Sequence, residues 1–224
     1  MKKQMLFHAE LWLLLGLITF IFTESSCAIR SSNCVDNRSK EAEVETFGAG
    51  SGNGASLAAS RTDYLYGSIG RGHYLLTNQS GINGGNWHRS EDFTPGDVDG
   101  YMLLIDSGNK AMKILDWPYQ NLCSSTNYRF SLQAANLVKP NRCGGSGGIA
   151  PILRIEVVDN NGASLRTKVQ RLTVQEELSW QEIPLEFVTT ANTSSISVHL
   201  SNDARLGCGG DFVIDELRLE KTHQ

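Results

Sequence analysis

Apolar and polar residues alternate along most of the chain after residue 100, and nowhere do apolar residues keep a helical spacing for three turns. Alternation of this kind is typical of strands that bury one face. Turns rich in Gly and Asn separate these segments. The pattern predicts strands at 101–106, 128–138, 152–158, 165–174, 180–188, 194–200 and 212–219. Such a series of short strands predicts an all-β fold, a jelly-roll β-sandwich of two antiparallel sheets.

Residues 48–100 follow a different pattern, because glycine and isolated aromatic residues replace the alternation there. Long loops on a rigid sheet often carry binding residues. We therefore expect this segment to form long loops on one face of the sandwich.

The N-terminus carries two lysines, an apolar run over 11–22 and a short polar segment that ends at Ala28. This order is typical of a secretory signal peptide. Twelve apolar residues span only about 18 Å as a helix, less than the bilayer core of about 30 Å. The sequence predicts a signal peptide at 1–28, and then a single exported domain at 29–224 that acts as a free-standing module.

Two cleavage sites are compatible with this leader. Cleavage after Ala28 places small residues at the expected positions, whereas cleavage before Cys27 leaves a lipid-anchored cysteine. Glu24 stands where such a lipoprotein signal usually has an aliphatic residue. Either cut leaves four cysteines that are free to pair, which predicts disulfides formed in an oxidising compartment. This set consists of Cys34, Cys123, Cys143 and Cys208.

The predicted strands constrain how these cysteines pair. Cys123 and Cys143 flank the strand at 128–138, whose ends lie more than about 30 Å apart, whereas bridged Cα atoms lie within about 7 Å. If successive strands reverse direction, Cys143 and Cys208 lie at the same pole of the sandwich. We therefore predict two bridges, Cys143–Cys208 and Cys34–Cys123.

The charge balance excludes one class of partner. The 224 residues include 20 Lys and Arg and 24 Asp and Glu, so the formal net charge is -4. Neutralising nucleic-acid phosphates requires clustered basic residues. Nucleic-acid binding is therefore not expected.

Aromatic residues in loops are candidates for sugar binding, because sugar rings stack on aromatic faces with polar groups at the rim. Trp87, followed by His88 in a Gly-rich loop, is the first candidate. Trp117 and Tyr119, on either side of a proline, form a second pair. The alternative interpretation of Trp87 is that it packs under its loop.

Acidic residues cluster in the same loop region, at Glu91, Asp92, Asp97 and Asp99. Glycoside hydrolases use two carboxyl groups about 5 to 9.5 Å apart, so hydrolysis is one interpretation. Solvated acids or calcium ligands are the other.

Several motifs resemble one extracellular family. The motifs are Trp87, EDFTP at 91–95, GYMLLID at 100–106, LCSSTNYRFSLQAANL at 122–137, CGG at 143–145, WQEIP at 180–184 and GCGGDFVIDEL at 207–217. In this order they resemble the jelly-roll domains of secreted and gliding-associated bacterial surface proteins, which are similar to carbohydrate-binding modules. The sequence departs from that family at Phe93, where His is usual, and at Glu216, where a second Asp is usual.

The resemblance also implies a structural calcium ion. In carbohydrate-binding jelly rolls such an ion joins a Glu of the first strand to an Asp of the last, and the matching residues are Glu45 and Asp215. Oxygen ligands of this kind suit Ca²⁺. The alternative is that both are ordinary charges at strand ends.

Together these observations favour a secreted or surface-attached, non-catalytic module that binds carbohydrate. A structural or adhesive protein that binds another surface protein is the alternative from a different class. A small glycan-active hydrolase is the third.

Overall fold

The computed structural model describes residues 42–108, 110–204 and 207–222, which form eleven strands and no helix. The predicted signal peptide, Cys27 and Cys34 lie outside these residues. In chain order the strands are β1 (Glu43–Glu45), β2 (Leu65–Tyr66), β3 (His73–Thr77), β4 (Met102–Asp106), β5 (Met112–Tyr119), β6 (Asn127–Asn136), β7 (Ile152–Asp159), β8 (Ser164–Arg171), β9 (Gln181–Val188), β10 (Ile196–Asn202) and β11 (Phe212–Lys221).

The strands form two sheets. The larger sheet has the order β2-β3-β4-β11-β6-β9, and β1 also pairs with β11. Its pairings are antiparallel except for β2 with β3. The smaller sheet has the order β5-β10-β7-β8, and all its pairings are antiparallel. The fold is the expected all-β sandwich of the jelly-roll type.

The main core lies between the sheets and is built from the inward-facing residues of each strand. Phe130 and Leu132 of β6 and Ile155 and Val157 of β7 are fully buried within it. Their alternate neighbours face outward, so the period-2 pattern of the sequence translates directly into one buried face. The core therefore fixes the register of the central strands.

A second apolar cluster lies on the outer face of the larger sheet. Leu104 and Val213 alternate with core-facing residues of β4 and β11 and therefore point outward. Trp87 and Val138 complete this cluster and cover the sheet. The Gly-rich segment therefore packs against one face of the sandwich at this point.

All seven predicted strands are present, with ends that differ by a few residues. The short β1 and β2 were not predicted, nor were β3 and β5. Four of the five residues of β3 are buried. Its sequence therefore does not alternate between apolar and polar residues, and the pattern did not reveal it. β5 contains Pro118, which argues against a central strand; β5 lies at the edge of its sheet, where proline is tolerated.

The predicted bridge between Cys143 and Cys208 is confirmed, with 5.5 Å between the Cα atoms. Cys123 is also disulfide-bonded. Because Cys34 lies outside the described residues, its bridge to Cys123 stays a prediction.

Candidate functional site

Trp87 does not have the exposure that a stacking platform requires. Its side chain is 2% exposed and packs against the outer face of the larger sheet. The indole Nε1 donates a hydrogen bond to Oδ2 of Asp211, at 2.9 Å. The prediction of an exposed Trp87 is therefore wrong, and the alternative, packing beneath the loop, describes its position.

His88 is buried as well, and its Nε2 lies 3.1 Å from the backbone oxygen of Gln175. This contact fastens the loop to the segment before β9. The predicted role of His88 at the rim of a sugar site does not fit this burial.

The second aromatic pair is divided between two environments. Tyr119 is 1% exposed because its position in β5 points into the main core. Trp117 is half-buried, with the guanidinium of Arg61 4.8 Å from its ring centre and Phe47 packed edge-on. The prediction of an exposed pair is therefore wrong for Tyr119, and a cation already covers the indole of Trp117.

Glu45 and Asp215 lie on the paired strands β1 and β11, where Glu45 is opposite Leu217. Their carboxylates have separate partners. Glu45 Oε1 accepts a bond from Phe47 N, whereas Asp215 Oδ2 accepts bonds from Phe93 N and Thr94 Oγ1. Within the described residues, no three or more His, Cys, Asp or Glu side chains are placed to hold a metal ion. The calcium site stays a prediction.

Asp215 is nevertheless unusual, because it is fully buried on the outer side of β11. Burial, and to a smaller extent the charge of Asp92, raises its pKa to about 6. The acidic loop therefore packs over β11, with Asp92 and Asp97 next to the backbone of Gly100.

A polar pocket of about 430 Å³ opens at one pole of the sandwich. It lies where β3, β4, β6 and β11 begin or end, and Gly-rich turns form its rim. We call it the polar pocket. Its charged and amide side chains are Arg71, Asn83, Asn86, Asp106, Arg142 and Asp211, and its apolar wall includes Trp87, Val138 and the Cys143–Cys208 bridge. This volume lies within the range typical of small-ligand sites.

Asp106 is the least satisfied group of the polar pocket. It ends β4 on the outward-facing side and is 9% exposed. Its carboxylate makes no hydrogen bond with any other described residue, although such bonds are the rule for buried polar groups. Burial, then the nearby charge of Asp211, raises the pKa of Asp106 to about 6, while His73 and Arg71 oppose this shift.

Asp211 lies beside Asp106 and precedes β11. Its carboxylate accepts bonds from Trp87 Nε1 and from the backbone N of Ser107 at 3.0 Å. Burial raises its pKa, and both hydrogen bonds and Arg71 oppose the shift. These two hydrogen bonds join Asp211 to the loop that contains Trp87 and to the segment that follows β4.

Two arginines also line the polar pocket. Arg71 acts on both of them electrostatically. At the rim, the guanidinium of Arg142 donates to Gly85 O at 3.1 Å, and Asn86 is tied to Asn83 through its backbone N. The polar pocket therefore combines two carboxylates with two guanidinium groups.

The hydroxyl of Tyr64 lies at the same end of the molecule. It is buried and has no hydrogen-bond partner within 42–108, 110–204 or 207–222. Burial raises the pKa of Tyr64 to about 12, and the charges of Asp211 and Asp106 contribute. Tyr64 is not among the residues that line the polar pocket.

Sequence reasoning did not identify the residues of the polar pocket. Asp106 and Asp211 are both part of quoted motifs, YMLLID and GCGGDF. The usable signal was their position: each is an acid at the end of an apolar strand, at the pole already assigned to Cys143 and Cys208. The predicted loop acids, Glu91, Asp92, Asp97 and Asp99, do not line the polar pocket.

Among the residues described, no helix has the length and apolar character to cross a membrane.

No protein-family model matches the chain, and no curated protein matches it. Among solved structures, the chain is similar to a xylan-binding CBM22 domain of Paenibacillus barcinonensis Xyn10C, with 12% identity over 82% of this chain and 96% of that one and a TM-score of 0.45. It is also similar to a cyclase from Fischerella sp. TAU, with 13% identity over 67% of this chain and 76% of that one and a TM-score of 0.46. Because these TM-scores are below 0.5, neither similarity bears on function.

Proposed function

We propose that this protein is an exported, non-catalytic module that binds carbohydrate in the polar pocket. The observation that carries the proposal is the carboxylate of Asp106, which is nine-tenths buried and unpaired yet lines an accessible cavity. A ligand that supplies hydroxyl donors gives this carboxylate hydrogen bonds of about 1.5–3 kcal/mol each.

Sugars fit the remaining groups of the polar pocket. Neighbouring hydroxyls of a sugar ring can donate to Asp106 and Asp211 and accept from Arg71 or Arg142. Ile69 and Cys143, which are only partly buried, provide an apolar wall for the C–H groups of the ring. An apolar wall with a few convergent polar groups is the usual composition of such sites.

Export is supported by the bridge between Cys143 and Cys208, since stable disulfides are typical of oxidising compartments. The predicted leader at 1–28 agrees with it. Attachment through a lipidated Cys27 is the alternative to release, and intact-mass measurement of the mature protein distinguishes the two.

The test is a glycan array followed by calorimetry on the best ligand, with Asp106→Ala as the variant. We expect this change to weaken binding by about tenfold or more. The matched control is Asp203→Ala, which removes a carboxylate from a different cavity, on the smaller sheet. Thermal unfolding verifies that both variants fold.

Two results would contradict the proposal. The first is equal affinity of wild type and Asp106→Ala for the glycan. The second is an array without any bound glycan combined with specific retention of one surface protein, which would support the adhesive alternative.

A further inference from the structure

Most sheet edges of the described chain are short, covered or interrupted. At β5, the backbone groups of Arg61 and Asp63 form hydrogen bonds to the side of the strand that faces away from β10. At β9, the edge contains Pro184, which lacks an N–H, and its carbonyl accepts a bond from Lys168 Nζ at 2.8 Å. On the other side of the larger sheet, β1 and β2 have only three and two residues. Such features prevent other chains from pairing with a sheet.

The eight-residue strand β8 differs from these edges, because it lies at the end of the smaller sheet and pairs with β7 alone. Just after β8, Leu172 N donates to Pro151 O, which fixes the alternation of the antiparallel ladder. With this register, the N–H and C=O groups of Thr167 and Val169 point away from β7. No residue of the described ranges pairs with these backbone groups, and Val169 is 49% exposed. The strand therefore presents a free hydrogen-bonding edge.

The side chains of β8 on its inward face are basic. Arg166 and Lys168 lie opposite Val157 and Ile155 of β7, so their neighbours within the sheet are apolar. Neither cation forms an ion pair with a described residue. Glu186 lines the same cavity as Arg166 but is not ion-paired with it. The strand itself contains no acidic residue. An added strand would therefore meet two cations that have no anionic partner.

We propose that the free edge of β8 binds an extended acidic segment of another protein, which adds to the smaller sheet as a fifth strand. Such a segment exchanges backbone hydrogen bonds with Thr167 and Val169, as in other complexes formed by strand addition. Its alternate carboxylates lie opposite Arg166 and Lys168, where opposite charges stabilise cross-strand pairs. A second copy of this chain would place its own β8 cations at these positions and be repelled. This protein-binding surface is independent of the carbohydrate binding proposed for the polar pocket.

The first test measures the role of charge by fluorescence anisotropy, with a labelled peptide of about nine residues in which Glu and Val alternate. A peptide of the same length with alternating Lys and Val is the charge-reversed control. Only the acidic peptide should bind, and more weakly at high salt, because salt screens exposed charges. The Arg166→Gln/Lys168→Gln variant should weaken its binding by about tenfold or more. The control variant Lys113→Gln/Arg154→Gln makes the same change of charge elsewhere on the smaller sheet and should bind like wild type.

The second test separates backbone pairing from charge. Val169→Pro removes an N–H that points away from β7 and leaves the ladder with β7 intact, as proline does at strand edges. Val169→Ala shortens the same side chain but keeps the N–H. We expect the proline variant to bind the acidic peptide about tenfold more weakly than the alanine variant. Thermal unfolding verifies that both variants fold.

The outcomes separate the alternatives. No binding of the acidic peptide at about 1 mM, or equal binding of the acidic and basic peptides, would overturn the proposal. Equal binding of the acidic peptide and of heparin by Val169→Pro and Val169→Ala would overturn it in favour of a surface for polyanions. A wild-type dimer in sedimentation that is lost in Val169→Pro would assign the edge to a second copy of this chain. Asp106→Ala should bind the peptide like wild type, so failure of the carbohydrate proposal would leave this one intact.

Discussion

Two cavities of similar volume lie on different parts of the sandwich, and their acidic residues differ in how fully they are paired. The cavity on the outer face of the smaller sheet has a volume of about 460 Å³ and includes Asp116, His199 and Asp203. There, Asp116 accepts a bond from the hydroxyl of Ser197 and lies 3.5 Å from His199 Nε2. Asp203 is paired with Arg154 at 2.6 Å. In the polar pocket, by contrast, Asp106 has no hydrogen-bond partner among the described residues.

The difference indicates that cavity volume alone does not identify a binding site. Paired carboxylates on the smaller sheet already have their hydrogen bonds, so a ligand there must replace them at some cost. The unpaired carboxylate of the polar pocket gains a bond when a ligand arrives. The Cys143–Cys208 bridge lies in the wall of the polar pocket.

The largest expected effect comes from removing the bridge beside the polar pocket. Cys143 and Cys208 are separated by 65 positions, and closing a loop of this length restricts the unfolded chain by about 4 kcal/mol. The Cys143→Ser/Cys208→Ser double variant should lose most of this free energy of unfolding, measured by guanidinium denaturation. It should also bind glycan more weakly, because the wall of the pocket is no longer fixed.

A matched control for the bridge is Arg154→Ala. It breaks the surface ion pair with Asp203, and such pairs contribute about 1 kcal/mol or less. If the double cysteine variant lost no more stability than this control, the pocket would not depend on its covalent constraint.

The next prediction compares the loss of unfolding free energy on substituting two tryptophans, Trp87 and Trp117. Trp87→Phe removes the bond to Asp211 and leaves a void beneath the loop, so the free energy of unfolding should fall by about 2 kcal/mol. Trp117→Phe keeps an aromatic ring beside Arg61, and we expect a loss below about 1 kcal/mol. Urea denaturation midpoints measure both. A larger loss for Trp117→Phe would mean that the covered outer face of the larger sheet contributes less than its burial suggests.

The positions of the tryptophans also show which features of the fold could be predicted from the sequence. Alternation, with one fully apolar run at 101–106, located seven strands. Strand reversal placed Cys143 and Cys208 at one pole, because both inferences follow from local geometry. Whether an isolated aromatic such as Trp87 faces solvent depends on which distant segment covers it. Its hydrogen bond joins residues 124 positions apart, and no local pattern reports such a contact. For the same reason, strand ends could place Asp106 and Asp211 at one pole, but only the folded chain shows that both line one pocket.

The smallest effect tests the carboxylates themselves, through Asp106→Asn and Asp116→Asn. The pKa of Asp106 is about 6 in the folded state, against about 3.9 in an unfolded chain. The folded state therefore holds this proton more tightly, so the resulting stability is present below about pH 4 and is lost as the pH rises through about 6.

Asp106→Asn, which carries no charge, should be more stable than wild type by about 1 kcal/mol above this range and equal to it in acid. Asp116→Asn should show no such gain, because the carboxylate it removes accepts a hydrogen bond from the hydroxyl of Ser197. Urea denaturation of both variants at a series of pH values measures the difference, and a gain of equal size in Asp116→Asn would remove the distinction between the two cavities.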